Sequence, residues 1–201
     1  AHTILLKSNG EAHSFGRNDN GQLGHGDNVS PHIHPTINSQ ISNYSDITHI
    51  SCGKNHSAII RSDNNGTLYT FGKNSNGQLG LGDTTDRNIP TLVSGYTNII
   101  DVKCGEDFTI FLKSDGSIYS FGYNQQGQLG VALNYSTFLP TNVPQYVMYS
   151  KDIIEDNAAN TTIDCALDSI FILLNNGLVY VVGNNNNNIL GYYGCLLYTS
   201  P

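Results

Sequence analysis

An all-β repeat architecture is predicted for this 201-residue chain by three observations: a segment recurring three times almost letter for letter, strand-like runs closed by Asn-Gly or Asp-Gly, and no sustained helical periodicity. The segment reads Ser14-Phe15-Gly16-Arg17-Asn18-Asp19-Asn20-Gly21-Gln22-Leu23-Gly24, then Thr70-Phe71-Gly72-Lys73-Asn74-Ser75-Asn76-Gly77-Gln78-Leu79-Gly80. It returns as Ser120-Phe121-Gly122-Tyr123-Asn124-Gln125-Gln126-Gly127-Gln128-Leu129-Gly130, and a decayed copy runs from Val182-Gly183 to Ile189-Leu190-Gly191. Gly16, Gly72, Gly122 and Gly183 are 56, 50 and 61 residues apart, at or above the upper end of the periods of solenoids, propellers and arrays. Function is therefore to be sought on a repeated scaffold.

Within each unit the elements follow one order. A first strand ends at Ile50-Ser51-Cys52-Gly53, Val102-Lys103-Cys104-Gly105 and Ile163-Asp164-Cys165. A second strand follows, and Asn9-Gly10, Asn65-Gly66, Asp115-Gly116 and Asn176-Gly177 mark the tight turn into a third. The continuously apolar run Thr109–Leu112 predicts a strand covered on both faces. The returning run Ile118-Tyr119-Ser120-Phe121 mixes in polar positions, which predicts a more exposed partner. In Gly-x-Leu-Gly the glycines allow positive φ or close backbone approach, and the leucine supplies one apolar anchor per unit. Residues 153–159 support at most one helical turn.

The order Cys-Gly-x-x-His, apolar strand, Asp-Gly, Tyr-x-Phe-Gly-x-Asn-x-x-Gly-Gln-Leu-Gly resembles the regulator of chromosome condensation repeat over nearly all of residues 1–191. The resemblance implies a β-propeller of four-stranded antiparallel blades, here an incomplete set of about three to four, since a full ring would need seven. The family usually places Trp before the glycine, where this chain has Phe15, Phe71, Phe121 and Val182. Residues 1–194 are assigned to the repeats. Two features predict a fragment: Ala1–Leu6 aligns with the interior of the unit at Asn55–Ile60, and the single methionine is Met148. Residues 195–201 read either as a translated sequencing-adapter artefact, to be excluded from fold reasoning, or as an apolar terminal strand.

Composition narrows the function classes. A net charge of −7 with nine Lys and Arg lacks the basic face of a nucleic-acid binder. The 25 asparagines, including the run 184–188, read as compositional drift. Cys52, Cys104 and Cys165 share one repeat position, so neighbouring copies lie about 10 Å apart, beyond disulfide reach. They read as buried structural thiols of a reducing compartment, and their wide spacing offers no metal cluster. An intracellular location, cytoplasmic or nuclear, is expected on that ground.

No cofactor, metal or catalytic residue is assigned. His32-Ile33-His34 could form a metal pair on one side of a strand but lacks a third ligand in sequence. His2 and His56 share a repeat position with Phe108 and Ser169, which reads as packing or hydrogen bonding. Residues 16–26 are glycine-rich without a phosphate-binding pattern. Sequons at Asn28, Asn43 and Asn134 are expected by chance in an Asn-rich chain, and Asp83 with Asp86 lies in a variable connector. The structural repeat positions are Phe15, Gly16, Gly21, Leu23, Gly24, Cys52, Phe71, Gly72, Gly77, Leu79, Gly80, Cys104, Phe121, Gly122, Gly127, Leu129, Gly130, Cys165, Gly183, Leu190 and Gly191.

The connectors 27–45, 83–97 and 134–152 vary while the framework stays constant, which makes them the expected partner surface. What the resemblance implies for function is a non-enzymatic protein-interaction scaffold, alone or inside a larger chain such as a ubiquitin ligase or kinase. The alternative it implies is guanine-nucleotide exchange on a Ran-like small GTPase. An ultraviolet-B photoreceptor role of the family needs clustered tryptophans, and the chain has none.

Overall fold

The computed structural model describes residues 1–37, 46–131, 141–147, 161–174, 177 and 179–184. Among them, fourteen strands form four antiparallel sheets. The first sheet holds β1 (His2–Leu6), β2 (Ala12–Gly16) and β3 (His32–Ile37). The second holds β4 (Ile47–Cys52), β5 (His56–Arg61), β6 (Thr67–Gly72) and β7 (Arg87–Leu92). The third holds β8 (Ile99–Cys104), β9 (Phe108–Lys113), β10 (Ile118–Gly122) and β11 (Thr141–Tyr146), and the fourth β12 (Thr162–Ala166), β13 (Ser169–Leu173) and β14 (Val179–Gly183). Strand order equals chain order in every sheet. The first strands β4, β8 and β12 lie side by side, so the sheets fan outward from that edge as propeller blades.

The expected hairpins form. Gly116 N donates to Lys113 O at 2.9 Å and Lys113 N to Ser117 O at 2.9 Å, a three-residue loop with Gly116 at φ 81. Lys7 and Gly10 repeat the pattern in the first sheet. The second unit carries two extra residues at this turn, taken up by a 3₁₀ turn at Asp63–Asn65. Asn176, residues 153–159, Leu190, Gly191 and residues 195–201 lie outside the described residues.

Alternation along the second strands builds the core. On β9, Phe108, Ile110 and Leu112 face the fourth sheet, joining Ile163, Ile170 and Ile172, while Phe111 faces the second, joining Ala58, Ile60 and Leu68. On β5, Ile59 turns the other way, to Ile4 and Ala12 of the first sheet. A continuously apolar strand is thus one strand serving two interfaces.

The returning strands are not the exposed partners that their polar residues suggested. Ser14, Thr70 and Ser120 are fully buried, and β10 is buried at four of its five positions. Their hydroxyls donate to the Leu23, Leu79 and Leu129 carbonyls at 2.9, 2.7 and 2.6 Å, which makes polarity compatible with burial. The cysteines depart in the opposite direction. Cys52 is exposed, and Cys104 and Cys165 are half-buried, all three free. They lie on the first strands, whose far edge carries no further sheet among the described residues. The surrounding protein still pushes the thiols up, to about 11 for Cys52 and about 12 for Cys104, so both are protonated at neutral pH.

The connectors are also more than loops: each contributes an outer strand, β3, β7 or β11, bearing Pro35, Pro90 or Pro144. Proline lacks an N–H and so suits an edge strand. Each outer strand shifts register opposite Phe15, Phe71 or Phe121. The preceding unit docks on that irregularity. Gly26 N donates to Asn88 O, and Gly82 N to Asn142 O, both at 2.8 Å. A Cβ on Gly77 would stand 2.6 Å from Asn142 Cα, so only glycine permits this approach.

Phe71 and Phe121 are fully buried at successive interfaces, whereas Phe15 is half-buried on the first sheet. Phe121 lies over Gly80, where a Cβ would stand 2.8 Å from its ring, and Val182 takes the same place over Gly130 at 3.2 Å. Leu23, Leu79 and Leu129 are fully buried. Gly95 shares the positive φ of Gly80 but faces nothing within 4 Å. Gly80→Ala should therefore cost about 1–3 kcal/mol more than Gly95→Ala, the overpacking contribution, in urea unfolding; equal costs would remove the interlock.

Candidate functional site

The polar side chains of the repeated segment serve the framework. Asn18, Asn74 and Asn124 accept the Leu23, Leu79 and Leu129 amides at 3.0, 2.9 and 3.0 Å. Asn18 and Asn74 also donate to the carbonyl and carboxylate of Asp27 and Asp83. Gln22, Gln78 and Gln128 accept the amides of Asn20, Asn76 and Gln126. All six amide side chains are buried. Sequence reasoning passed over them in favour of the glycines, although they recur just as faithfully.

The glutamines also reach the next sheet. Gln78 Nε2 donates to Asp107 at 3.0 Å and Gln128 Nε2 to Asp168 at 3.3 Å, but Gln22 Nε2 finds no acceptor, and Asn55 stands where the other units place aspartate.

His2 and His56 make matching bridges. Ser57 Oγ donates to Gln22 O at 2.8 Å and Thr109 Oγ1 to Gln78 O at 2.9 Å, so each hydroxyl must accept from the histidine. That assigns the Nε2–H tautomer to His2, 2.8 Å from Ser57, and to His56, 2.9 Å from Thr109. Burial lowers His56 to about 3 and His2 to about 4, so neither ring is poised to exchange protons near neutrality. His56 also lies against Gly53 as Phe108 lies against Gly105; where Ala166 replaces the glycine, the ring is replaced by Ser169.

The other sequence candidates separate. His32 meets His25 edge-on at 4.6 Å and approaches Asp27 at 3.4 Å, while the His34 side chain lies outside the described set. No group of three or more metal-ligating side chains occurs among the described residues. Asp83 pairs with Arg87 at 2.6 Å, which lowers its carboxyl, and Asp86 accepts Asn74 N at 2.8 Å; both are framework contacts. Asn28 is exposed, and Asn43 and Asn134 lie outside the described residues. Gly16, Gly72, Gly122 and Gly183 end the third strands, and Gly21, Gly24, Gly127 and Gly130 hold positive φ in the loops.

What remains open is the row of turns after the first strands. Lys54, Glu106 and Leu167 occupy one repeat position, and the row is tied by Lys54 N to Glu106 O at 3.1 Å and Glu106 N to Leu167 O at 2.8 Å. The Lys54 ammonium pairs with the Glu106 carboxylate. A cleft of about 410 Å³ runs along this row, lined by Cys52, Gly53, Lys54, Cys104, Gly105, Glu106 and Leu167. It is shaped by backbone and side chains from three units, and carries no nucleophile with a lowered pKa.

Comparison with known proteins agrees with this framework. The family model described as the regulator of chromosome condensation (RCC1) repeat matches residues 9–60, 65–112 and 115–155. The chain is 38% identical over 117 residues to a protein RCC2 homolog of Danio rerio, covering 56% of this chain and 22% of that protein. It is 41% identical over 109 residues to the E3 ubiquitin-protein ligase HERC2 of Homo sapiens, covering 52% of this chain and 2% of the ligase. Its fold is similar to that of Prp20p from Saccharomyces cerevisiae, whose structure was described with its binding to Gsp1p and histones, with a TM-score of 0.77 and 18% identity. That likeness covers 98% of this chain and 47% of Prp20p. The chain thus spans about a fifth or less of these two curated relatives and about half of the solved propeller.

Two outcomes follow from the bridges. Asn55→Asp gives Gln22 Nε2 the carboxylate that its counterparts have, and should raise stability by about 1 kcal/mol in urea unfolding; an unchanged or lower midpoint would show that Gln22 is already satisfied. For His56, the folded pKa lies below the unfolded value, so its neutral form contributes stability above about 6.5 that drains away as pH falls toward about 3. The slope is about 1.4 kcal/mol per pH unit for each such histidine. His56→Phe, which copies Phe108, should flatten the loss of stability between pH 7 and 5 whatever its effect at pH 7.

Proposed function

The chain belongs to the regulator of chromosome condensation repeat family, and from that premise we propose that it acts as a non-enzymatic protein-interaction scaffold. One observation carries the reading: the buried asparagines and glutamines of the repeated segment are engaged in shaping the loops and, at Gln78 and Gln128, in joining adjacent sheets, while the connectors present exposed apolar side chains. Val29, Ile89 and Val143 are exposed on those connectors. Apolar groups scattered over variable segments of a rigid frame suit recognition by a partner surface rather than bond chemistry. The likeness to a ubiquitin ligase supports a place for such blades inside larger chains. The net charge of −7 makes a protein a more suitable partner than nucleic acid. Three free thiols favour an intracellular setting, cytoplasmic or nuclear.

Guanine-nucleotide exchange on a Ran-like GTPase is the second reading, favoured by the likeness to Prp20p, described with its binding to Gsp1p. Exchange would operate by binding energy that shifts nucleotide affinity, so it needs no catalytic side chain either. A nucleotide-release assay against a panel of small GTPases separates the two: no acceleration at micromolar chain is expected, and acceleration would replace the scaffold with the exchange factor. For the scaffold itself, Val29→Glu, Ile89→Glu and Val143→Glu should weaken capture of a cross-linked partner at least fivefold while shifting stability by no more than about 0.5 kcal/mol. Undiminished capture by all three would move the binding surface off the connectors.

A further inference from the structure

Among the described residues, the cleft along the turn row brings apolar and charged side chains together. It is lined by Cys52, Gly53, Cys104 and Gly105 together with Lys54, Glu106 and Leu167. Leu167 is 74% exposed and sits at φ 49°, where a non-glycine residue is strained. The tie from Glu106 N to its carbonyl holds it there. At the same repeat position the second and third units carry Lys54 and Glu106, which pair with each other. Among the described residues, an exposed leucine therefore stands next to an oppositely charged pair.

The adjacent carboxylates exceed the cations. Asp107 and Asp168 follow Glu106 and Leu167 in the chain; Asp107 accepts the Gln78 amide and Asp168 the Gln128 amide with Asn184 beside it, neutral groups that leave both charges in place. Burial raises the Asp168 carboxyl, and the charges of Glu106 and Asp107 raise it further. The single ammonium among them, Lys54, feels all three carboxylates. Glu106 lines the cleft and Asp107 and Asp168 act on Lys54 from the adjoining turns, so carboxylates outnumber the ammonium of the row. A cation would be drawn there and an anionic polymer repelled.

We propose that this cleft receives a short basic–apolar segment of a partner protein, an aliphatic side chain lying against Leu167 and the lining cysteines and glycines while a lysine or arginine meets the Glu106 carboxylate and is held by the field of the adjoining Asp107 and Asp168. The inference rests on the scaffold reading and names the chemistry of one partner contact. It assigns different work to the two surfaces: the connectors supply area, and the cleft supplies the choice of sign.

Fluorescence anisotropy with the 201-residue chain tests it, using a labelled alternating lysine–leucine peptide and its glutamate–leucine and lysine–serine counterparts. The lysine–leucine peptide should bind at least tenfold more tightly than either counterpart, and its affinity should fall with salt. Glu106→Gln with Asp168→Asn should weaken it about tenfold, since removing charge-assisted contacts is worth that much. Asn at 168 copies Asn55 of the second unit, so the blade tolerates its shape. Leu167→Ser, an exposed change that leaves charge intact, should weaken it at least threefold. Glu11→Gln, on the opposite end of the first sheet, should change nothing. The proposal is overturned by equal affinity for the three peptides, by indifference to both sets of variants, or by sedimentation showing that a second copy fills the cleft. Should the double variant unfold, Leu167→Ser alone decides. If partner capture through the connectors survives while the peptides fail, the scaffold stands and only the cleft is lost.

Discussion

The docking of each unit's glycine-rich loop into the irregular outer strand of the next is the constraint on which the structure depends. Gly82 N reaches Asn142 O, Gly77 meets the Asn142 backbone, and Phe121 closes over Gly80. These contacts are backbone against backbone or ring against backbone, so they allow no slack. One interface is repeated rather than many invented, which makes stability close to a sum of units and nearest-neighbour terms. The drift from Phe121 to Val182 is tolerable because volume, not polarity, is what the glycine beneath it requires.

That constraint explains where the polar residues went. A loop held against a neighbouring strand is buried, and buried amides must be paired. Asn74 and Gln78 pair the loop's own N–H groups, Thr70 pairs the Leu79 carbonyl, and Thr109 with His56 carries the pairing across to the next sheet. The same network fixes the histidine tautomer and keeps both rings neutral. Side chains that would suggest acid–base chemistry in isolation are here the means by which adjacent blades satisfy one another.

Once the framework has used its polar groups, variation is confined to positions it does not need. The repeat position occupied by Lys54, Glu106 and Leu167 ties the row of turns through its backbone, so its side chains can differ from unit to unit. Exposed connector side chains such as Val29, Ile89 and Val143 are free in a similar way. A partner surface on such a fold is a mosaic of non-equivalent side chains on equivalent backbones.

Much of this was legible in the chain itself. The recurrence of Phe-Gly and Gly-x-Leu-Gly, the Asn-Gly and Asp-Gly turns and the apolar second strands determined an all-β repeat with hairpins where they form, because turn chemistry and strand periodicity are local properties. The outer strands had a readable mark in Pro35, Pro90 and Pro144, yet proline ordinarily argues against a strand, and only the edge position removes the objection. Burial of Ser120, exposure of Cys52 and the open donor of Gln22 were decided by tertiary structure. Ser120 finds the Leu129 carbonyl nine residues on, and Gln78 and Gln128 find aspartates 29 and 40 residues on where Gln22 finds none. The cleft is the clearest case: Lys54, Glu106 and Leu167 are far apart in sequence, and their charges and exposed leucine meet only because the first strands converge on one edge.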